Sequence, residues 1–578
     1  MADLPNNPNA PTKPKELSME LRLLIAFLLM GAVLFVTPYI YKPPPGPKPA
    51  EKPAPAAATP PAAVVKKPEA AVPEVAKPAA AEPAAQVTAS SEQPFTIDTN
   101  LYRVRFTNKG GVIQSWILKK YLDSQGKPLE VINAASFTQV PPPFAIAYKD
   151  GKPPVDINYT LYKATPTLDG LGIDYEYGDT KVHVRKSFRF LRNSYLAQVT
   201  SEVTQNGTGV PHLLEWRGGF GDSTVLNRVT AQHSIYFNLT DSKLKVADQK
   251  AAKNGPVTSI GNFSFAGLED SFFAMVLLPS QQNTLEVVTM KDDVQPNASK
   301  DAKAEAHVGV AVGGDAVNEF SLFIGPKDID LLKQVDPRLP QVIDWGFFGV
   351  IAKPLFLILR WINDQWVHNY GWAIVFITVI INVLLLPLRF SSLKSARKMQ
   401  SLQPKLQEIN AKYKNIGIRD PKKAEQNQEV MDLYKKHGVN PMGGCLPMVV
   451  QLPILYAFYR VLAVSIALRG AHWLWVTDLS QAETLPIHIL PVVMIITQFI
   501  TQKMTPNPSA DPSQQRMFML MPLMFGFFFY NMSSGLVLYW LTGNLVGIAQ
   551  QWLINRTMPP LPVVQAPAKL APKKKGSR

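Results

Sequence analysis

The sequence predicts a multi-domain membrane protein: an α-helical six-span membrane protein joined to an all-β domain on the outer side of the bilayer. Three observations carry this reading. One apolar stretch stands near the N-terminus, residues 95–325 alternate as short strands without intervening helices, and five apolar stretches crowd the C-terminal half.

Residues 1–20 read as a cytoplasmic N-terminus and 21–41 as a transmembrane signal anchor, preceded by Lys13 and Lys15 and opened by Arg22. A cleavable signal peptide would need a small-x-small site after the apolar run. The chain instead reads Thr37-Pro38-Tyr39-Ile40-Tyr41, which favours a retained anchor. Residues 42–94 are Pro, Ala, Lys and Glu with almost no large apolar side chains, a composition of a disordered periplasmic linker.

Residues 95–340 are expected to form a periplasmic antiparallel β-sandwich. Tyr102, Val104 and Phe106 face one way and Arg103, Arg105 and Thr107 the other, before Asn108-Lys109-Gly110-Gly111 turns the chain. The same grammar recurs at 174–190, broken by Gly178-Asp179, and at 195–203. His183 falls on the polar face of its strand and reads as a solvated surface residue.

Residues 341–363 are apolar but carry Lys353 and Arg360 near one helical face, which suits an amphipathic helix lying in the interface. Spans are then expected at 371–389, 445–469, 485–503, 517–530 and 535–555. Counting 341–363 as interfacial places the basic segment 390–440 in the cytoplasm, as the positive-inside bias requires. Both termini then lie inside, and the basic tail 556–578 is cytoplasmic.

That topology accounts for most of the charge. Lys and Arg number 59 against 44 Asp and Glu, a net +15, and hydrophobic residues make up 46% of the 578. The one cysteine, Cys445, cannot form an intramolecular disulfide and, opening an apolar run without a nearby His, reads as a small buried thiol.

The membrane part excludes several chemistries. No Asp lies in the five C-terminal spans, no H-E-x-x-H helix exists, and the phosphate loop G-x-x-x-x-G-K-[ST] is absent; no metal or cofactor is expected. His488 sits near an outer helix end and reads as an interfacial residue. The spans nevertheless carry Thr378, Asn382, Gln451, Arg460, Thr497, Gln498, Tyr539, Thr542, Asn544, Gln550 and Gln551. Interhelical hydrogen bonds explain any one of these, but their number points to a wet cavity, because polar groups in hydrocarbon are costly. A secondary transporter with a periplasmic ligand-binding domain is the alternative, disfavoured by the lack of an internal repeat.

Residues 390–440 are helical, amphipathic and basic, broken at 415–421, and read as a cytoplasmic helical hairpin. Its lysines, Lys398, Lys405, Lys412, Lys414, Lys422 and Lys423 among them, suit either anionic lipid or docking of a ribosome or targeting factor. No sequence-specific contact with nucleic acid is expected.

Lys398-Met399-Gln400, Leu402-Gln403-Pro404-Lys405, Leu433-Tyr434-Lys435-Lys436 and Val439-Asn440-Pro441-Met442-Gly443-Gly444-Cys445-Leu446-Pro447 resemble the hairpin and third-span entry of the YidC insertases. Gly535-Leu536-Val537-Leu538-Tyr539-Trp540 with Asn544-Leu545 is similar to that family's last span, and Phe323-Ile324-Gly325-Pro326-Lys327 to the end of its periplasmic domain. The resemblance implies a periplasmic β-supersandwich, an interfacial helix and a five-helix insertase core around a hydrophilic groove open to cytoplasm and lipid but closed towards the periplasm. It implies an inner-membrane insertase without covalent chemistry, acting on nascent membrane proteins alone or with the Sec translocon, and met by the ribosome or signal recognition particle pathway. The groove would be lined by Asn382, Arg460, Thr378, Gln451, Thr497, Gln498, Tyr539, Trp540 and Asn544.

Three places depart from the pattern. Five residues before Pro387, where many relatives carry a groove arginine, stands Asn382; Arg460 on the third span is the expected replacement charge, unless it snorkels to the outer interface. The hairpin tip, 415–425, is longer than in many relatives, and Ser533 replaces a proline before the last span.

Overall fold

The computed structural model describes residues 86–148, 155–224, 232–281, 284–296, 304–413, 422–439, 446–505 and 512–557. The expected signal anchor, nearly all of the linker, the hairpin break with Lys414, Cys445 and the basic tail lie outside the described residues. Residues 409–432 segregate from the body of the molecule and are described by themselves.

Alternation and turn chemistry produce two antiparallel sheets. The smaller runs in chain order through Pro94–Asp98, Tyr102–Thr107, Val112–Leu122 and Pro128–Glu130. The larger follows the path Ala145–Tyr148, His212–Trp216, Glu305–Gly313, Thr284–Val294, Val257–Glu269, Phe273–Pro279, Val317–Pro326, Leu196–Gln205, Val182–Phe190, Gly172–Gly178 and Lys163–Pro166. Val257–Glu269 belongs to both halves of that sheet. Its first six residues pair with Thr284–Val294 and its last four with Phe273–Pro279, so the sheet switches direction within one strand.

The turns read from sequence are present. Asn108–Gly111 joins its two strands with Gly110 and Gly111 both at positive φ (77° and 56°), which glycine adopts without a Cβ penalty. The ammonium of Lys186, 1% exposed, donates to the carbonyls of Gly110 and Phe144, each at 2.8 Å. This ties the turn to the large sheet. Phe106 against Phe188 (5.0 Å between ring centroids) and Trp116 against Phe190 (5.8 Å) bring the two sheets into one apolar core. His183 differs from expectation: its Nε2 meets Glu176 Oε1 across the strand pair at 3.0 Å, a partnership alternation alone could not reveal.

Beyond Pro326 the chain is helical. α1 (Ile329–Val335) is capped by Asp328, whose carboxylate accepts from the N–H groups of Asp330 and Leu331. α2 (Gly349–Ile362) buries Ala352, Leu355, Phe356, Leu359 and Ile362, the spacing of a single helical face. Its other face is not polar as expected, since Leu357, Ile358 and Trp361 are exposed there beside Lys353. A π-turn at Asn363–Val367 and left-handed His368 then redirect the chain into α3 (Tyr370–Leu384), a bend of 115°.

Several expected boundaries shift. α3 ends at Leu384, and α4 (Leu386–Ser401) begins with Pro387 in its first turn, where a missing N–H does no harm. The hairpin continues as α5 (Gln403–Lys412) and α6 (Lys422–Lys436), followed by α7 (Leu446–Val464). The chain leaves α7 through extended Ser465 and a short turn, Ile466–Leu468, so the helix stops before Leu468. α8 (Ile489–Met504) starts after Leu485-Pro486-Ile487-His488, which is apolar but not helical. α9 (Pro512–Phe529) begins earlier than expected and α10 (Ser534–Thr557) runs two residues longer at its end. Among the described residues no single helix is long and apolar enough by itself to cross a membrane; α2 and α3 pass that test together but are bent.

Candidate functional site

α10 organises the polar side chains because it carries two stripes. Tyr539, Gly543, Gly547 and Gln550 recur at helical spacing on one stripe, and Trp540, Asn544 and Gln551 lie one residue, about 100°, further round.

The first stripe faces α3, α4 and α7. Thr378, fully buried, donates back to Ile374 O at 2.6 Å, and Asn382 Nδ2 donates to Thr378 O at 2.7 Å. Gln550 bridges two helices, its Nε2 donating to Asn382 O and its Oε1 accepting from Arg389 Nη1, both at 3.1 Å. Gly543 and Gly547 leave the space: a Cβ on Gly547 would stand 3.0 Å from Arg389 Nη1, and one on Gly543 4.0 Å from Asn382 Nδ2. Gln451 donates to the hydroxyl of Tyr539, whose ring stacks on Phe458 at 4.3 Å. Asn382 Oδ1 is buried and has no partner among the described residues.

The second stripe faces α8. Asn544 Nδ2 donates to Thr497 Oγ1 at 3.2 Å, Thr497 donates to Met494 O at 2.9 Å, and Trp540 Nε1 donates to Gln498 Oε1 at 3.1 Å. Eight of the nine expected groove residues therefore divide between two sides of α10 rather than ringing one cavity.

Arg460 belongs to neither side, which corrects the expectation that it supplies the missing charge. Its guanidinium takes the carboxylate of Asp344 at 2.7 Å together with the Asp344 carbonyl, and it packs on Gly346. The cation linked to Asn382, through Gln550, is Arg389, two turns further along. Arg389 falls at the end of the expected span 371–389, and its position two residues past Pro387, in a helix that continues, was the available signal.

The opposite end of the helices is closed by the segment 469–488. Trp473 lies on the backbone of Gly371 and edge-on to Trp372 at 5.5 Å. Gly535 N–H donates to Leu479 O at 2.9 Å and Ser534 N–H to Gln481 O at 2.6 Å. Buried Glu483 accepts from Trp475 Nε1 (2.6 Å) and from the N–H of Leu490 (3.0 Å), capping α8. His488, half-buried at the start of α8, donates from Nδ1 to Tyr530 O at 2.6 Å and stacks its ring on Tyr530 at 4.4 Å.

Of the hairpin lysines, Lys398 and Lys405 are half-buried and Lys412 and Lys422 exposed, while the side chain of Lys423 lies outside the described residues. Within residues 409–432, Lys412 pairs with Glu429 at 3.0 Å and Gln426 bonds Asn410 at 2.8 Å. Among the described residues no cluster of His, Cys, Asp or Glu could hold a metal ion.

Residues 94–358 match the family profile described as the YidC periplasmic domain, and residues 361–561 that of the 60Kd inner membrane protein. Over 571 residues the chain is 34% identical to a protein of Geotalea daltonii named membrane protein insertase YidC, covering 94% of this chain and 100% of that one. A relative of the same name from Geobacter sp. is 35% identical over 481 residues, 80% of this chain and 85% of its own. A solved structure of an active YidC insertase with its first transmembrane domain resolved is 18% identical, covers 92% of this chain and 99% of its own, and gives a TM-score of 0.35. The transporter alternative finds no support in these relatives. With both profiles matched in order and a third of residues shared with a relative over its whole length, the chain belongs to the YidC family of inner-membrane protein insertases.

Proposed function

We propose that the chain moves hydrophobic segments of nascent membrane proteins into the inner membrane by way of the polar cluster around Asn382, Arg389, Gln451, Tyr539 and Gln550. The observation that carries the reading is the orphaned side-chain oxygen of Asn382, on a residue whose backbone carbonyl is joined through Gln550 to the Arg389 guanidinium, at the end of the helices away from the Trp473 closure. A buried amide oxygen and a half-buried cation there favour a polar or acidic flank that has left bulk water but not yet crossed.

The energetics need no nucleotide. A substrate helix of about 20 residues, gaining roughly 0.3 to 0.6 kcal/mol for each strongly apolar residue, is stabilised by up to about 6 to 12 kcal/mol in lipid. Each charge that must cross costs roughly 2.5 to 3.5 kcal/mol, so the obstacle is kinetic. A polar site part-way through shortens the crossing, and the membrane potential drives acidic flanks outward.

In this reading the protein has six spans with both termini inside, a β-supersandwich in the periplasm, and α3, α7, α8, α9 and α10 as its five-helix core. α2 lies in the outer interface, where its exposed Leu357, Ile358 and Trp361 meet lipid. The Thr497–Gln498–Trp540–Asn544 side is the wall against which a segment leaves for lipid. The hairpin lysines receive a ribosome or signal recognition particle component or rest on anionic lipid, and the Sec translocon is the partner for larger substrates. Reconstitution into protein-free liposomes with a single-span, acidic-flanked substrate tests the reading. Protease-protected insertion that is lost in Arg389→Gln but kept in Arg460→Gln is expected; equal insertion in Arg389→Gln and the unsubstituted protein refutes it.

A further inference from the structure

Two arginines follow one another out of α7, and the second reaches the periplasmic domain. Arg469 comes directly after the turn Ile466–Leu468 and is almost wholly enclosed, its side chain 4% exposed and that of its partner Asp222 0%. The guanidinium takes the Asp222 carboxylate and also donates to the carbonyl of Leu122 at 2.9 Å. Its planar face lies over Phe272 and Phe273, 5.2 and 5.3 Å from the ring centroids.

The socket is assembled from three separated stretches of the domain. Leu122 ends a strand of the small sheet, Asp222 lies in the loop after Trp216, and Phe272–Phe273 open a strand of the large sheet. Asp222 is aimed by other contacts: its Oδ1 accepts from the N–H and hydroxyl of Thr224 at 2.9 and 2.6 Å. Its own N–H donates to Asp270 Oδ2 at 3.0 Å, and Asp270 Oδ1 accepts from the N–H groups of Phe272 and Phe273. Nη2 alone serves both the carboxylate and the carbonyl, Nη1 being buried without a partner among the described residues, while the flat group lies against the two ring faces, which an ammonium does not match.

The domain is also attached at the other side by the chain itself, through α1 and the segment leading to α2, where Leu332, Leu339 and Val342 are buried. The ion pair there, Arg360–Asp330 at 2.8 Å, has side chains 30% and 56% exposed and contributes little. One attachment leaves a hinge, whereas two fix an orientation. We propose that Arg469 is the latch that sets the orientation of the periplasmic domain on the helical core, so that the domain and α7 move as one body. The buried charge makes the latch all-or-none, because either partner left alone is an unpaired ion away from water. The inference rests on the docking geometry and stands apart from the insertase reading.

Spin labels at Leu168→Cys, fully exposed on the domain, and Ile487→Cys, ahead of α8, in a Cys445→Ser background report the orientation in the full chain in lipid. The unsubstituted latch is expected to give one narrow distance distribution. Arg469→Ala should broaden it at least about twofold, as a fixed body becomes a hinged one, with Arg469→Lys intermediate. Asp222→Ala, approaching from the other side, should broaden it equally, while the melting of the β-domain in Arg469→Ala stays unchanged. A broad distribution before substitution, or a narrow one persisting in both alanine variants, overturns the latch. Insertion assayed on the same samples is independent: a broadened distribution with insertion intact leaves the latch standing and removes the need for a fixed domain.

Discussion

Asn382 is 1% exposed, yet half of its amide is unused: Nδ2 donates to Thr378 O at 2.7 Å and Oδ1 meets no donor among the described residues. Leaving a buried acceptor unpaired costs about 1 to 3 kcal/mol, so an apolar residue of similar volume should pack at least as well. Asn382→Leu is therefore expected to accumulate normally while insertion of polar-flanked substrates falls by about tenfold, the equivalent of one lost hydrogen bond; normal insertion would show that the amide is only a packing residue. In the β-domain His212 is buried as a neutral ring, its Nε2 facing Ser201 Oγ at 2.7 Å and Asn318 Nδ2 at 3.2 Å and its Nδ1 facing Val210 O at 3.0 Å. Burial pushes it from 6.5 down to about 4. Between those values the unfolded chain takes up the proton and the folded domain does not, so stability is lost as pH falls through that window. Glu215, pushed by burial from 4.5 up to about 7, acts oppositely and gains stability over its own window as pH falls. His212→Gln should thus be less stable at neutral pH but lose less on acidification, closing a gap of up to about 3 kcal/mol in denaturant titrations at falling pH. Such residues explain what could be read in advance. Asn382, Gln451 and Tyr539 announce themselves as polar groups within apolar runs, but Arg460 was misassigned because Asp344 is 116 residues away and nothing local names it.

Among the elements, those fixed by local chemistry were legible and those fixed by a distant contact were not. Asn108–Gly111 and Gly178-Asp179 turn where their glycines and short polar residues say they must. The start of α8 is set instead by Glu483 reaching the N–H of Leu490, while Pro486 keeps the preceding apolar residues out of the helix. The start of α3 has a comparable long-range condition, since Gly371 allows the Trp473 ring to lie on the helix backbone and a Cβ there would overlap Trp473 Cγ and Cδ1. Gly371→Ala must displace the indole and with it the Trp372–Trp473 contact. Overpacking of this kind costs about 1 to 3 kcal/mol, so the variant should melt lower in detergent. Gly470→Ala is the comparison, because a Cβ there meets open space, although its φ of +69° carries a strain of its own. If Gly371→Ala melts with the unsubstituted protein, the tryptophan is not wedged against the helix.

At the scale of the whole molecule the two ends of the helical core differ in kind, and that asymmetry is what a one-sided insertion site requires. At one end Trp473, Leu468 and Leu479 are buried, and 469–488 is bonded into α8 and α10 through Glu483, Gln481 and Leu479. At the other, α3 gives way to α4 at a proline, Gln451 lies in the opening turns of α7, and Arg389 and Gln550 are half-buried. That a sheet-rich domain precedes the helices was legible from alternation and apolar runs. The residues that build the closed end were not, because they lie in a loop with no periodicity. It has a direct consequence for reagents that cannot cross the membrane. With Cys445→Ser removing the native thiol, Gln451→Cys should react with a charged maleimide applied from the cytoplasmic side of inverted vesicles and stay unlabelled when the reagent is applied to the periplasmic face of spheroplasts. Adding Glu483→Ala releases Trp475 and the first turn of α8 together, and should raise periplasmic labelling of the same cysteine by about tenfold or more, as the loss of a buried charged acceptor with two donors predicts. Labelling from both faces before Glu483 is touched would mean that the tryptophan-lined end is no seal, and that a segment reaching Gln451 is already open to the periplasm.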